Sequence, residues 1–173
     1  KKKELAEIAG DQPWVEEAPL VLLFCADLNR SKEFIKVDNP QIFGNAELYT
    51  VAVVDTALAC QKALIAAQSL GLGGVIVGGI RNDMDAVHNM FKLPELVAPL
   101  FLLCLGYPDQ NPDLKPRLPQ NIIHKIDYYD DTRDRELIEE YDKTMENYYS
   151  KRSSKQVKVG WTTHCQRAFS RSS

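Results

Sequence analysis

The sequence predicts one globular domain that mixes helices with buried strands, and three observations carry that expectation. Residues 19–28 and 99–105 are nearly continuous apolar runs of strand length, as expected of strands covered on both faces. Between them lies a long alanine-rich stretch, residues 47–70, apolar around most of a helical girth. With 173 residues, 45% hydrophobic and 26% charged, the chain has room for a real core.

Taken in order, Lys1 to Ala9 reads as a short helix stopped by Gly10, and residues 19–28 as a buried strand. Residues 29–45 carry turn chemistry at Asp38, Asn39 and Pro40 and again at Gly44 and Asn45, which predicts a loop with a short helical piece. The next stretch, 47–70, has alanines at 52, 57, 59, 63, 66 and 67 together with Val51, Val54, Leu58 and Leu64. It is expected to be a central core helix, with Asp55 hydrogen-bonded inside it as a structural carboxylate. Gly71, Gly73 and Gly74 end that helix, Val75 to Val77 form a short strand, and Asn82 or Asp83 caps a helix from Met84 to about Lys92. Residues 99–105 follow as a strand with Gly106 as its stop, and residues 131–150 as an exposed helix burying Leu137, Ile138, Tyr141, Met145 and Tyr148.

Charge and cysteine usage exclude several functions. A net charge of −3 argues against a general nucleic-acid binder. Lys1, Lys2 and Lys3 precede Glu4 and Glu7 rather than an apolar run, so the start does not read as an export signal. Residues 49–72 contain Asp55, Gln61, Lys62 and Gln68, which is too polar for a lone membrane span. The expected setting is cytoplasmic, with no membrane partner. The cysteines at 25, 60, 104 and 165 are widely spaced, so neither a metal site nor a disulfide framework is expected. Cys25, Cys60 and Cys104 sit in apolar segments and read as structural. Cys165 adjoins His164, but sequence neighbours on a helix do not face each other as a nucleophile pair must.

Three features invite a ligand. Residues 106–119 are polar and stiffened by Pro108, Pro112, Pro116 and Pro119, and they present Lys115 and Arg117. In an extended conformation these two cations converge on one phosphate; in a polyproline turn they splay apart as solvated surface charges. Gly78 and Gly79, directly after a strand, either admit a flat ligand to the backbone or make a simple turn, with Arg81 and a helix start close by. The spacing of Gly71, Gly73 and Gly74 after a helix is not a dinucleotide fingerprint. From residue 151 on there is no acid, while Lys151, Arg152, Lys155, Lys158, Arg167 and Arg171 make a basic arm, either solvated or ordered on a phosphate-bearing ligand. The domain boundary is therefore drawn at 150, with residues 1–150 as the core and 151–173 as the arm.

Val54, Asp55, Thr56 and Ala57, the run from Ala63 to Gly74, Gly78 to Asn82, Leu93 with Pro94, and Leu105 to Pro119 together resemble the oxygen-insensitive NADPH nitroreductase and flavin reductase family. The stretch Asn111, Pro112, Asp113, Leu114, Lys115, Pro116, Arg117 is its most specific part, and the resemblance reaches to about Trp161. It implies an α+β fold, a three-layer sandwich with a central, mainly antiparallel sheet and a long core helix, assembled as a homodimer with FMN in a cleft at the interface. It further implies that Lys115 and Arg117 hold the phosphate end of FMN, that Val77, Gly78, Gly79 and Gln12 contact its ring, and that Arg81 and Arg152 pair with NADPH.

The activity implied is ping-pong hydride transfer from NADPH, through FMN, to nitroaromatics, quinones or free flavin, with no catalytic side chain because FMN carries the chemistry. Members of the family begin with a segment bearing a histidine-arginine-serine motif on the FMN phosphate, and this chain starts after it. The alternative expectation is accordingly a flavin-binding protein without turnover.

Overall fold

In the computed structural model, which describes residues 1–152 and 156–170, the chain separates into two compact units, Lys1–Asp109 and Gln110–Ser173. This division falls well before residue 150. Lys155 and Arg171 of the expected arm lie outside the described residues.

The first unit is built on a three-stranded antiparallel sheet ordered β1-β3-β2, from β1 (Leu20–Asp27), β2 (Gly73–Val77) and β3 (Val97–Gly106). Leu20 pairs with Leu105 and Asp27 with Val97, with a bulge at Phe24 and Cys25, while Gly73 pairs with Gly106 and Val77 with Leu102. Successive residues of a strand face opposite ways, so the apolar run of β3 serves two cores at once. Leu102 and Cys104 pack with Leu5, Ala6, Val15, Ile80 and Val87. These come from α1 (Lys2–Ile8), α2 (Pro13–Glu17), the 3-10 turn Gly79–Asp83 and α5 (Met84–Phe91). Leu103 and Leu105 pack with Cys60 and Ala67 of α4 (Ala46–Ser69). Helices on both faces of one sheet make the three layers.

The 24-residue α4 begins at Asn45, whose side chain accepts the Leu48 N–H at 2.8 Å. Its length is as expected; its burial is not. Thr56, Cys60 and Ala67 face the sheet, with Thr56 Oγ1 donating to the Cys25 carbonyl at 3.1 Å. On the other side Val51, Val54, Leu58 and Ile65 are each at least half exposed, and Asp55 is exposed rather than buried and bonded. The expectation of a central core helix apolar around most of its girth is thus narrowed: one stripe is core and another is open in the single chain. By length and composition alone α4 qualifies as a membrane span, contrary to the sequence reading, but its Thr56, Cys60 and Ala67 stripe lies on the sheet.

Between β1 and α4 run α3 (Asn29–Phe34) and a 3-10 turn, Pro40–Gly44, supplying the short helical pieces expected there. Asp83 caps α5 by accepting the Ala86 N–H at 2.9 Å. In the second unit, α6 (Gln120–Ile123) precedes α7 (Asp134–Lys151), whose buried side carries Tyr141, Met145 and Tyr149. Part of the supposed arm is a helix, α8 (Trp161–Phe169), tied to α7 where Asp142 accepts the Thr162 N–H at 2.8 Å and its hydroxyl. A side chain at Gly160 would press on that carboxylate, 2.9 Å from its Oδ1.

Candidate functional site

In the first unit, the expected ring-contacting residues lie around the end of β2. Val77 is its last residue and is buried against the core of Leu102 and Ile80. A Cβ at Gly79 would stand 2.6 Å from the Ala9 carbonyl oxygen, so this glycine lets the 3-10 turn seat directly on the end of α1. A Cβ at Gly78 would meet the Arg81 guanidinium at 2.7 Å. Arg81 Nη1 donates to the Leu100 carbonyl, also at 2.7 Å, so the side chain bridges the turn to β3 and keeps further N–H donors for another acceptor.

Gln12 sits where α1 gives way to α2. Gly10 and Asp11 both adopt left-handed backbone, φ 81° and 57°, and reverse the chain there. The Gln12 N–H then donates to the Ala6 carbonyl at 3.1 Å, and its own carbonyl accepts from Val15. Its side chain makes no cap to α2 and is half-buried.

In the second unit, the proline-rich segment approaches α7. Tyr141 Oη donates to the Pro116 carbonyl at 3.0 Å, pinning the backbone between Lys115 and Arg117. Leu118 packs beside the Tyr141, Met145 and Tyr149 cluster. Lys115 and Arg117 are exposed, and among the described residues no carboxylate forms an ion pair with either. Lys115 Nζ lies 5.6 Å from the centre of the Tyr149 ring, and the Arg152 guanidinium carbon lies 5.0 Å from the same ring. Lys115 and Arg152, assigned to different ligands on resemblance, thus meet one aromatic side chain. Two exposed cations on a fixed backbone suit an anionic phosphate, so the donor set here fits the phosphate end of FMN.

No cysteine offers a nucleophile among the three strand and helix thiols. Burial raises the pKa of Cys60; burial and then the Asp27 charge raise that of Cys25; burial raises that of Cys104, with Lys2 opposing. All three favour the protonated thiol. Among the described residues no group of His, Cys, Asp and Glu is arranged to hold a metal.

One feature was missed by sequence reasoning. An open pocket of about 580 Å³ in the first unit is lined by Phe43, Tyr49, His88 and Pro99, among others, and includes none of the expected ligand-binding residues. His88 Nε2 lies 3.1 Å from the Pro94 carbonyl. No motif marks the pocket, because its walls come from four separate stretches of chain.

Residues 1–107 match the nitroreductase family, and residues 115–173 match the C-terminal domain of that family. The chain is 42% identical over 169 residues to the oxygen-insensitive NADPH nitroreductase of Salmonella typhimurium, covering 97% of this chain and 68% of that protein. To the NADPH-flavin oxidoreductase of Vibrio harveyi it is 42% identical over 164 residues, covering 94% and 66%. Among solved structures, the NfrA1 nitroreductase from B. subtilis superposes with a TM-score of 0.89 at 35% identity, over 98% of this chain and 70% of that one. The chain spans about two thirds of the length of these curated relatives.

Proposed function

The chain belongs to the nitroreductase family, and from that premise we propose that it is an FMN-dependent oxidoreductase drawing hydride from NADPH. The acceptors are small molecules: nitroarenes, quinones or free flavin. The observation that carries the reading is the pair of exposed cations Lys115 and Arg117, held by prolines and by the Tyr141 bond to Pro116 and left without a carboxylate partner among the described residues. FMN, when bound, supplies the two-electron chemistry by accepting hydride and passing it on.

The chain's own residues bind and orient. Lys115 and Arg117 hold the phosphate end; Val77, Gly78, Gly79 and Gln12 lie against the ring; Arg81 and Arg152 take NADPH through its phosphates, since guanidinium forks suit such oxygens. Support for the assignment of Arg81 is that Leu100 occupies only part of its donor set. The reductase names of the relatives do not favour a binder without turnover. A homodimer is part of the proposal, supported by the exposed stripe of Val51, Val54, Leu58 and Ile65 on α4, which a second copy would cover. Use of NADPH favours a cytoplasmic setting.

The test is an FMN titration of the full-length protein followed by flavin fluorescence, then NADPH oxidation with a quinone or nitroarene. Saturable binding that weakens at least tenfold in the Lys115→Ala, Arg117→Ala double variant is expected. Unchanged affinity in that variant overturns the phosphate assignment; saturable FMN binding without NADPH oxidation overturns the enzymatic reading.

A further inference from the structure

We propose that Tyr149 is a positioning residue, whose ring seats Lys115 and Arg152 together and so preforms one cationic cluster shared by the cofactor and NADPH sites; this rests on the assignments just given. Lys115 Nζ and the Arg152 guanidinium are 5.6 and 5.0 Å from the ring centre. Both distances lie inside the roughly 6 Å at which a cation is drawn to an aromatic face. Two like charges brought near each other repel, and two long side chains lose much rotamer freedom when ordered. A shared ring offsets both costs before any anion arrives.

The ring itself is held from several sides. Tyr149 is buried on the side of α7 that carries Tyr141 and Met145, and it packs edge-to-face on Tyr148 at 5.3 Å between centres. Its carbonyl accepts the Val157 N–H at 3.0 Å, which ties in the chain returning after α7. Arg152 follows the last turn of α7 and bonds the Tyr148 carbonyl through its N–H at 3.0 Å. Two turns earlier on the same side, Tyr141 fixes Pro116. One helix thus sets the backbone of the cation-bearing segment through Tyr141 and the cation side chains through Tyr149.

The test uses the FMN-loaded full-length enzyme. Tyr149→Leu is expected to raise the KM for NADPH about two- to fivefold with kcat unchanged, and to weaken FMN binding by a similar factor. Tyr149→Phe, which keeps the ring, is expected to restore both. In an Arg152→Ala background Tyr149→Leu should no longer move KM, and in a Lys115→Ala background it should no longer move FMN affinity. Leu137→Ala, at a half-buried position three turns away on the same helix, is expected to lower Tm and leave both constants alone. If Tyr149→Leu changes only Tm, or if its effects add in full to those of the cation variants, the positioning role is overturned. If Arg152→Ala and Lys115→Ala by themselves change neither constant, the site assignment is what fails, and the positioning role falls with it.

Discussion

The two units are stabilised in different ways. The first rests on apolar layering, in which Leu102 and Leu103 of one strand are each fully buried and serve opposite faces of the sheet. The second has a small aromatic cluster, Tyr141, Met145, Tyr149 and Val159, and depends on polar ties: Tyr141 to Pro116, Asp142 to Thr162 and Lys125 to Asp134. Burial tolerates some shift of its parts, whereas hydrogen bonds demand geometry. A unit held by directional bonds can fix a stretch that has no regular structure of its own, such as residues 110–119.

The largest effect belongs to the layered unit. Leu102→Ala removes a side chain with no exposure and leaves a cavity among Val15, Ile80 and Val87. A loss of about 3 kcal/mol is expected by chemical denaturation. A loss below about 1 kcal/mol would mean that the layer collapses onto the gap, and that the contrast between the units is weaker than drawn.

Next comes the ion pair of the second unit. Lys125 Nζ lies 2.5 Å from Asp134 Oδ1 with both side chains largely shielded, 14% and 17% exposed, and it also donates to the Asn121 carbonyl at 3.0 Å. Lys125→Met strands a shielded carboxylate at the start of α7. A loss of about 1 to 3 kcal/mol is expected. Because the pair is shielded, that loss should persist in 0.5 M salt, whereas an exposed pair such as Arg135 with Glu139, 3.8 Å apart, should contribute little at any salt. Equal behaviour of the two pairs on salt titration would remove the distinction.

The same contrast explains what the sequence made legible. β1 and β3 are readable because a strand buried on both faces leaves a continuous apolar run, and their expected limits differ from the observed ones by only one or two residues. β2 begins two residues before its expected start because Gly73 and Gly74 read as breakers. Gly74 is needed there, since a Cβ would fall 2.7 Å from side-chain atoms of both Leu64 and Leu105.

The length of α4 was legible but its buried side was not, because alanine and valine are acceptable on every face and periodicity cannot tell core from an open stripe. The short α2, started by Pro13, and the basic α8 went unread, since five residues give no period and the charge of the second suggested solvent. At the site, the types and spacing of Lys115 and Arg117 were visible. Their placement was not, because the Tyr141 bond to Pro116 spans 25 residues and Tyr149 is 34 positions from Lys115.

A smaller effect tests that long-range tie. Tyr141→Phe keeps the ring in the aromatic cluster, where it meets Trp161 edge-on at 6.2 Å, and deletes only the hydroxyl that bonds Pro116. The cost expected in stability is about 1 kcal/mol. The informative measurement is amide hydrogen exchange of residues 113–118, which should speed up while the amides of β3 stay unchanged. Unaltered exchange in 113–118 would show that the prolines alone hold the segment.

The smallest effect concerns a single proton. Asp130 is exposed, yet its carboxyl is held below the ordinary carboxylate range, first by the Thr132 backbone N–H at 3.0 Å, then by the Thr132 side chain, with desolvation opposing and the Lys125 charge contributing least. A carboxylate whose pKa is depressed by folding adds stability that is complete above its unfolded value and is lost as pH falls through the folded one. The window therefore runs from the ordinary aspartate range downward, and at neutral pH the contribution is complete and does not vary with pH. Thr132→Ala removes the hydroxyl but keeps the backbone donor, so a carboxyl NMR titration should find the Asp130 midpoint partly relaxed upward. Lys125→Met should move it less. A larger shift from Lys125→Met than from Thr132→Ala would reverse the ranking, and would mean that charge, rather than directed hydrogen bonds, sets this turn ahead of α7.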